Sequence, residues 1–310
     1  MKFGYYIRGP LLYPQIRDLA IRVEGLGYDS IHVNDHLIGF DEKQDKKEPY
    51  LEAIMLMTAL AVETKKLKLG HTVICNSFRN PAYLAKCIST LDHISEGRAL
   101  LWLGAGWYEE EYKAYGYPFP SPKERVDQLE ESLTIYKKLF TEDVTDFSGK
   151  FWKLERNRNF PKPIQKPYPQ IVLGSSGKRM IDIACREADG INLPYVPLTE
   201  LEEKIHYINK RLEHYNRNLD DFEISLFNTV TLVNSQESLD KLIEKINKRV
   251  PEEKRKSKEE ILDNQFIGFL DDIKVKIEKV EEMGIRKMVI VVRKSEGITD
   301  PLGEFSRVFL

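Results

Sequence analysis

Eight short apolar runs alternate with amphipathic stretches along the chain, and few folds accept that order. The runs are Lys2–Tyr6, Ser30–Asn34, Leu67–Ile74, Arg98–Leu103, Gln170–Gly174, Gly190–Leu193, Glu223–Leu232 and Lys287–Val292. Between them apolar residues return at three- and four-residue steps. Val126, Leu129, Leu133, Tyr136 and Phe140 make one stripe, and Ile273, Ile277 and Val280 another. Gly27 ends the first such helix, Ile16–Leu26. Strands and helices in alternation predict parallel strands joined by crossover helices. Eight units make a (β/α)8 TIM barrel, typically about 250 residues. The surplus in this chain of 310 residues falls in two insertions. Residues 142–168 read as an irregular connection, and residues 233–265 as a charged helical excursion. Neither carries enough apolar residues for its own core, so residues 1–310 read as a single barrel domain.

The rival is a doubly wound dinucleotide fold, which opens a helix with Gly-x-Gly-x-x-Gly. Gly104-Ala-Gly106-Trp-Tyr-Glu109 offers a glutamate for the third glycine, in the fourth unit rather than the first. A glutamate there blocks close helix–strand packing. Composition narrows the function. A net charge of −2 gives no support for a nucleic-acid partner. The start Met-Lys-Phe-Gly resembles no signal peptide, and no apolar stretch reaches the roughly 18 residues of a membrane span. The three cysteines, Cys75, Cys87 and Cys185, are too scattered for a disulfide framework or a zinc site. The chain reads as reduced, soluble and cytoplasmic.

A barrel carries its chemistry at the C-terminal ends of its strands. Here those ends read His32-Val-Asn34-Asp35-His36, Gly70-His71-Thr72-Val73-Ile74-Cys75-Asn76, Gly104-Ala105-Gly106-Trp107 and Gly174-Ser175-Ser176-Gly177-Lys178-Arg179. The last is a small-residue turn feeding a helix, with two cations beside it. It reads either as an anion site suited to phosphate or as an ordinary strand–helix turn. Asp35 and His36 read as a helix cap and a satisfied histidine, or as site residues. His32, Asn34 and His36 alternate on one face, as metal ligands could. His71 is the sole nearby addition, and no metal is assigned. Glu109-Glu110-Glu111 reads as a solvated helix start, where acids suit the helix dipole. Cys75 has no identifiable base.

Several stretches, in their order, resemble one family. They are Val33-Asn34-Asp35-His36-Leu37, Arg79-Asn80-Pro81-Ala82-Tyr83-Leu84-Ala85-Lys86, Thr90-Leu91-Asp92-His93-Ile94-Ser95-Glu96-Gly97-Arg98, Tyr117-Pro-Phe-Pro120, Pro163-Ile-Gln-Lys-Pro167 and Ala188-Asp189-Gly190. The chain resembles the bacterial-luciferase-like flavin and deazaflavin oxidoreductases, and within them the branch using coenzyme F420. That resemblance implies a barrel whose cofactor, F420 or alternatively FMN, lies across the mouth. It implies a cis peptide at Thr72–Val73 beneath the ring, ring contacts from Ala105 and Gly106, and Cys75 as a small neighbour. Asp35 becomes a hydrogen-bonding cofactor contact, His36 an active-site residue near the reacting carbon, and Glu110 a cofactor-side position. Ser176, Gly177, Arg179 and Met180 match the segment beside the cofactor phosphate. Trp107, Tyr108 and Tyr5 become candidates for lining the substrate pocket. A small-molecule substrate and a homodimer follow from the same resemblance.

One departure bears on the substrate. The sugar-phosphate dehydrogenases of the F420 branch carry a proton-transferring glutamate after the strand-four glycine, where this chain has Trp107. A tryptophan cannot take that role. Three readings of function stand: hydride transfer with F420, oxygenation with FMN, and a non-catalytic flavin-binding barrel.

Overall fold

The computed structural model describes residues 1–39, 48–293 and 297–310. Its barrel strands are β1 (Lys2–Tyr6), β2 (Ser30–Val33), β3 (Lys68–His71), β4 (Leu101–Gly104), β5 (Ile171–Gly174), β6 (Gly190–Pro194), β7 (Glu223–Leu232) and β8 (Lys287–Arg293). Neighbours pair in parallel from β4 through β8 and on through β1 to β3. The ring closes at Leu69, whose N–H donates to the Arg98 carbonyl at 2.8 Å and whose carbonyl accepts from Leu100 at 2.9 Å. The helices that concern the site are α1 (Tyr13–Gly25), α2 (Ala53–Glu63), α3 (Pro81–Ile94), α4 (Glu109–Ala114), α5 (Pro122–Thr141), α6 (Lys178–Glu187) and α7 (Leu198–His214). No helix among the described residues is long and apolar enough to cross a membrane.

Two expected elements differ. The run Leu67–Ile74 is not one strand: pairing with β2 stops at His71, the Thr72–Val73 peptide is cis, and Ile74–Cys75 pairs with β4 instead. The connection at 142–168 contains an antiparallel hairpin, Thr145–Ser148 with Lys153–Asn157. The excursion at 233–265 is helical, and Phe266–Gly268 then pairs with the far end of β7.

Because side chains alternate across a strand, each barrel strand serves two cores. Tyr5, Ile31, Leu69, Leu101, Leu103, Ile171 and Ile191 pack outward under the helices. Tyr6, Leu100, Trp102, Val172, Phe227, Val289 and Val291 fill the barrel, with Val73 against them. This parity corrects one expectation: Tyr5 faces the helix layer, edge-on to Tyr28 at 5.7 Å, and it is Tyr6 that points to the mouth.

Inside the barrel a polar layer surrounds His32. Its Nδ1 lies 3.0 Å from Thr72 Oγ1, its Nε2 lies 3.0 Å from Ser30 Oγ, and its ring rests 4.6 Å from that of Trp102. The imidazole fits because two neighbours lack side chains. A Cβ on Gly70 would stand 2.8 Å from His32 Cε1, and one on Gly4 2.5 Å from Ser30 Oγ. Burial, then the charge of Lys287, holds His32 well below the ordinary histidine range, and burial lowers His71 too.

The sign of the resulting pH dependence follows from linkage. A histidine whose folded value is depressed binds a proton more readily in the unfolded chain. Its contribution is complete above the unfolded value, about 6.5, and is lost as pH falls toward the folded value. Urea unfolding should show stability declining below about pH 6.5, at up to about 1.4 kcal/mol per pH unit for each such histidine. His32→Asn should make that decline shallower between pH 6 and 5, and an identical slope would show that His32 is not held neutral.

Candidate active site at the mouth of the barrel

The floor of the mouth is a side chain, not a loop. Val73 projects from the end of the third unit into the space between the tips of β4 and β5. A Cβ on Gly104 would stand 2.6 Å from Val73 Cγ2, and one on Gly174 2.6 Å from Val73 Cγ1. Both strands therefore end in glycine because Val73 needs the room. Gly106 answers to a different neighbour. Its φ is +81°, and a Cβ there would lie 1.9 Å from the Tyr112 hydroxyl oxygen and 2.8 Å from Cys75 Sγ. The Gly-Ala-Gly triplet is thus first a packing device, and the surface left above it is nearly all backbone and methyl. Cys75 Sγ sits 3.1 Å from that hydroxyl, and burial pushes its thiol up to about 12, so it is no nucleophile at neutral pH.

One wall is built on buried ion pairs. Asp35 accepts two bonds from Arg79, at 2.6 and 2.8 Å, and one from the Cys75 N–H at 2.9 Å. Arg79 also reaches Glu52, the cap of α2, at 2.5 Å. Burial opposes the Arg79 charge, but its bonds to Asp35 and Glu52 outweigh burial and hold the guanidinium more firmly protonated than usual. Asp35 thereby ties the tip of β2 to the start of α3. One residue on, His36 Nδ1 meets Glu111 Oε2 at 3.1 Å. The other Glu111 oxygen accepts from the N–H groups of Leu37 and Ile38. Because α4 packs Glu111 and Tyr112 inward, Glu111 is 2% exposed. Sequence reasoning passed over it, since a run of three glutamates does not say which one turns in. The buried Tyr112 beside it was the available signal.

The opposite wall is the turn after β5. Ser175 Oγ accepts from the Gly177 N–H at 3.1 Å, and no side chain caps α6. Ser175, Ser176 and Met180 line the cavity. Gly177 and Arg179 do not: the Arg179 guanidinium turns to Asp127 on α5. A cation that sequence reasoning missed lies nearer, with Lys204 of α7 donating to the Ser176 carbonyl at 3.3 Å.

Between these walls lies a cavity of about 530 Å³. Thr72, Val73, Cys75, Ala105, Gly106, Asp35 and His36 all line it, as do Trp107 and Tyr108, while Glu110 stands aside and accepts from the Tyr108 hydroxyl at 2.7 Å. Trp107 is 61% exposed and lies edge-on to His36, with ring centres 5.8 Å apart. The cavity also takes in Tyr6, Arg8, Tyr50, Tyr195 and Phe227. His32, Asn34 and His36 do not converge: His32 is inside the barrel, and no cluster of three His, Cys, Asp or Glu forms among the described residues. A site of this kind can hold a flat group on its floor, an anion at its helix end, and a proton at one imidazole.

Comparison with known proteins agrees with this architecture. The profile of the family described as luciferase-like monooxygenase matches residues 1–288. An F420-dependent glucose-6-phosphate dehydrogenase of Amycolatopsis mediterranei (strain U-32) is 30% identical over 192 residues, 61% of this chain and 56% of that protein. An FMNH(2)-dependent dimethylsulfone monooxygenase of Pseudomonas putida is 32% identical over 138 residues, 44% of this chain and 38% of that one. The chain therefore spans little more than half the length of the dehydrogenase it matches, and less of the monooxygenase. Among solved structures, an F420-dependent secondary alcohol dehydrogenase with an F420-acetone adduct superposes with a TM-score of 0.83 at 18% identity, over 99% of this chain and 97% of that one. The F420-dependent tetrahydromethanopterin reductase of Methanopyrus kandleri gives 0.79 at 19%, over 98% and 96%. At such identities the two structures speak for the fold.

Proposed function

The chain belongs to the luciferase-like monooxygenase family, and we propose that it is an F420-dependent oxidoreductase that passes a hydride between the deazaflavin and a small organic substrate. The observation that carries this reading is the His36–Glu111 pair on the wall of a cavity floored by Val73. The residues present fit such a cofactor. The cavity lies within the range of about 300–1,000 Å³ common to cofactor sites. Val73, Ala105 and Gly106 offer a low floor for a flat ring system, with Cys75 beside it. Ser176 and the uncapped start of α6 offer amides for a phosphate, with the Ser175 hydroxyl beside them. Asp35 serves as a strut, since Arg79 and Cys75 take its oxygens. A bound deazaflavin supplies hydride transfer, which no side chain here can perform.

The chain's own part is position and proton. The Glu111 carboxylate accepts from Nδ1–H, so Nε2 is the nitrogen that exchanges the proton. In the oxidative direction His36 takes the proton from a substrate hydroxyl, and in the reductive direction it returns one to the substrate oxygen. Trp107 and Tyr108 stand edge-on to the imidazole and hold its ring in place. FMN oxygenation is the second reading, favoured by the likeness to the dimethylsulfone monooxygenase. We further take residues 1–310 to be one cytoplasmic domain that pairs as a homodimer. Met55 and Val62, seven residues apart on α2, and Tyr83 on α3 are 73%, 63% and 65% exposed, an apolar surface suited to a second copy.

Parallel titration of the cofactor-free protein with F420 and FMN tests the reading. F420 should bind more tightly, and micromolar FMN binding with no F420 binding would make the protein an FMN enzyme. His36→Ala should lower single-turnover hydride transfer about 10²–10⁴-fold with F420 affinity nearly intact, and an unchanged rate would leave His36 without a proton role. Sedimentation should give twice the 36.1 kDa chain mass, falling to one chain in Met55→Glu/Tyr83→Glu. A wild-type monomer would exclude the dimer.

A further inference from the structure

One quarter of the mouth takes no part in the roles above. Tyr6 and Arg8 follow from β1, Tyr195 from β6 and Phe227 from β7, and all four line the cavity. The rings form a box, with Phe227 4.8 Å from Tyr6 and 4.9 Å from Tyr195. Tyr195 holds its place in a left-handed backbone, φ +50°, a conformation a bulky residue adopts at a cost, with its N–H on the Phe227 carbonyl at 2.9 Å. The Tyr6 hydroxyl bonds the Asn34 side chain and lies within electrostatic reach of Tyr195, Tyr50 and Arg8. Burial pushes that phenol up to about 12, so it remains a proton donor.

The charges of the cavity make this quarter distinctive. Asp35 is neutralised by Arg79, and the Glu111 oxygens are taken up by the His36 imidazole and two amides. Arg125 is spent on the carbonyls of Gly106 and Pro120. Arg8 makes no ion pair among the described residues. Among the described residues Arg8 is therefore a cavity-wall cation with no carboxylate partner, and it stands among phenols.

Resting on the hydride-transfer reading, we infer that Arg8, Tyr6, Tyr195 and Phe227 form the substrate subsite, and that the substrate carries an oxyanion, a carboxylate or a phosphate, on a flat apolar body. Phenol and guanidinium donors match an acceptor-only group, and charge-assisted bonds of this kind are the strong ones. Aromatic faces take the flat body by offset or edge contact. The subsite and His36 line the same cavity, so a body held at the anion anchor lies within the space that the imidazole serves.

Benzoate, phenyl phosphate and neutral benzamide, titrated by tryptophan fluorescence into the F420-loaded protein, test the inference. At least one of the anions should bind about tenfold or more tightly than benzamide, and the tighter of the two identifies the oxyanion. Arg8→Gln should bring all three within about twofold, and Arg8→Lys should retain part of the preference, while F420 affinity stays within about threefold of wild type. Equal binding of benzoate, phenyl phosphate and benzamide to the wild type would overturn the inference. So would a preference that survives Arg8→Gln, or an Arg8→Gln loss that falls on F420 and spares the probes. If neither F420 nor FMN binds but the cofactor-free chain still prefers the anions, the oxidoreductase reading fails and the subsite stands.

Discussion

Val73 occupies a gap that exists because residues 104 and 174 have no side chains. The rest of the mouth is arranged around that contact. Interiors are close-packed, so a methyl group placed between two strand tips fixes their separation. With Val73 seated, the third unit passes from its pairing with β2 to its pairing with β4, and the ring of strands stays continuous across the break. The surface above Val73 then consists of Ala105, Gly106 and strand-end backbone, a floor low enough for a flat cofactor. The triplet Gly104-Ala105-Gly106 looks like a place where a ligand approaches the backbone. In the structure the nearest intruders are Val73, Cys75 and Tyr112, and a ligand would profit from a shape the protein needs for itself.

Electrostatics at the mouth are settled before any ligand arrives. Asp35 and Glu111 are both nearly fully buried, and each has its oxygens occupied by protein donors. Buried carboxylates without such partners would be costly. Their function in this account is to hold things still: Asp35 fixes the tips of the second and third units, and Glu111 fixes the loop after β2 together with the imidazole. In the proposed reading, preorganisation of this kind leaves His36 for proton traffic and Arg8 for recognition within one cavity.

The barrel was legible because its period is written in every unit. The eight apolar runs, their order and the polar strand tips follow from residue type and spacing alone. What was not legible depended on which way a side chain turns. Tyr5 and Tyr6 differ in no chemical way that sequence can use, and only the strand's parity sends Tyr6 inward. Glu111 was hidden in a run of like residues. Arg179 looked like an anion ligand because it follows the Ser175-Ser176 turn, but the carboxylate of Asp127, brought close by α5, claims it. Lys204, near that turn in space, is distant in sequence. Long-range partners of this kind arise from packing, and local pattern carries no trace of them.

The central claim is that Val73 and the strand-end glycines are a single fitted unit, and a double-mutant cycle tests it most directly. Gly174→Ala should cost about 1–3 kcal/mol in urea unfolding, because the new methyl overpacks against Val73. Val73→Ala alone should also be destabilising, through the volume it leaves empty. In the double variant the new methyl finds the space that valine vacated. Its loss should fall short of the sum of the single losses by at least about 1 kcal/mol, and simple additivity would show that Val73 does not set the shape of the mouth.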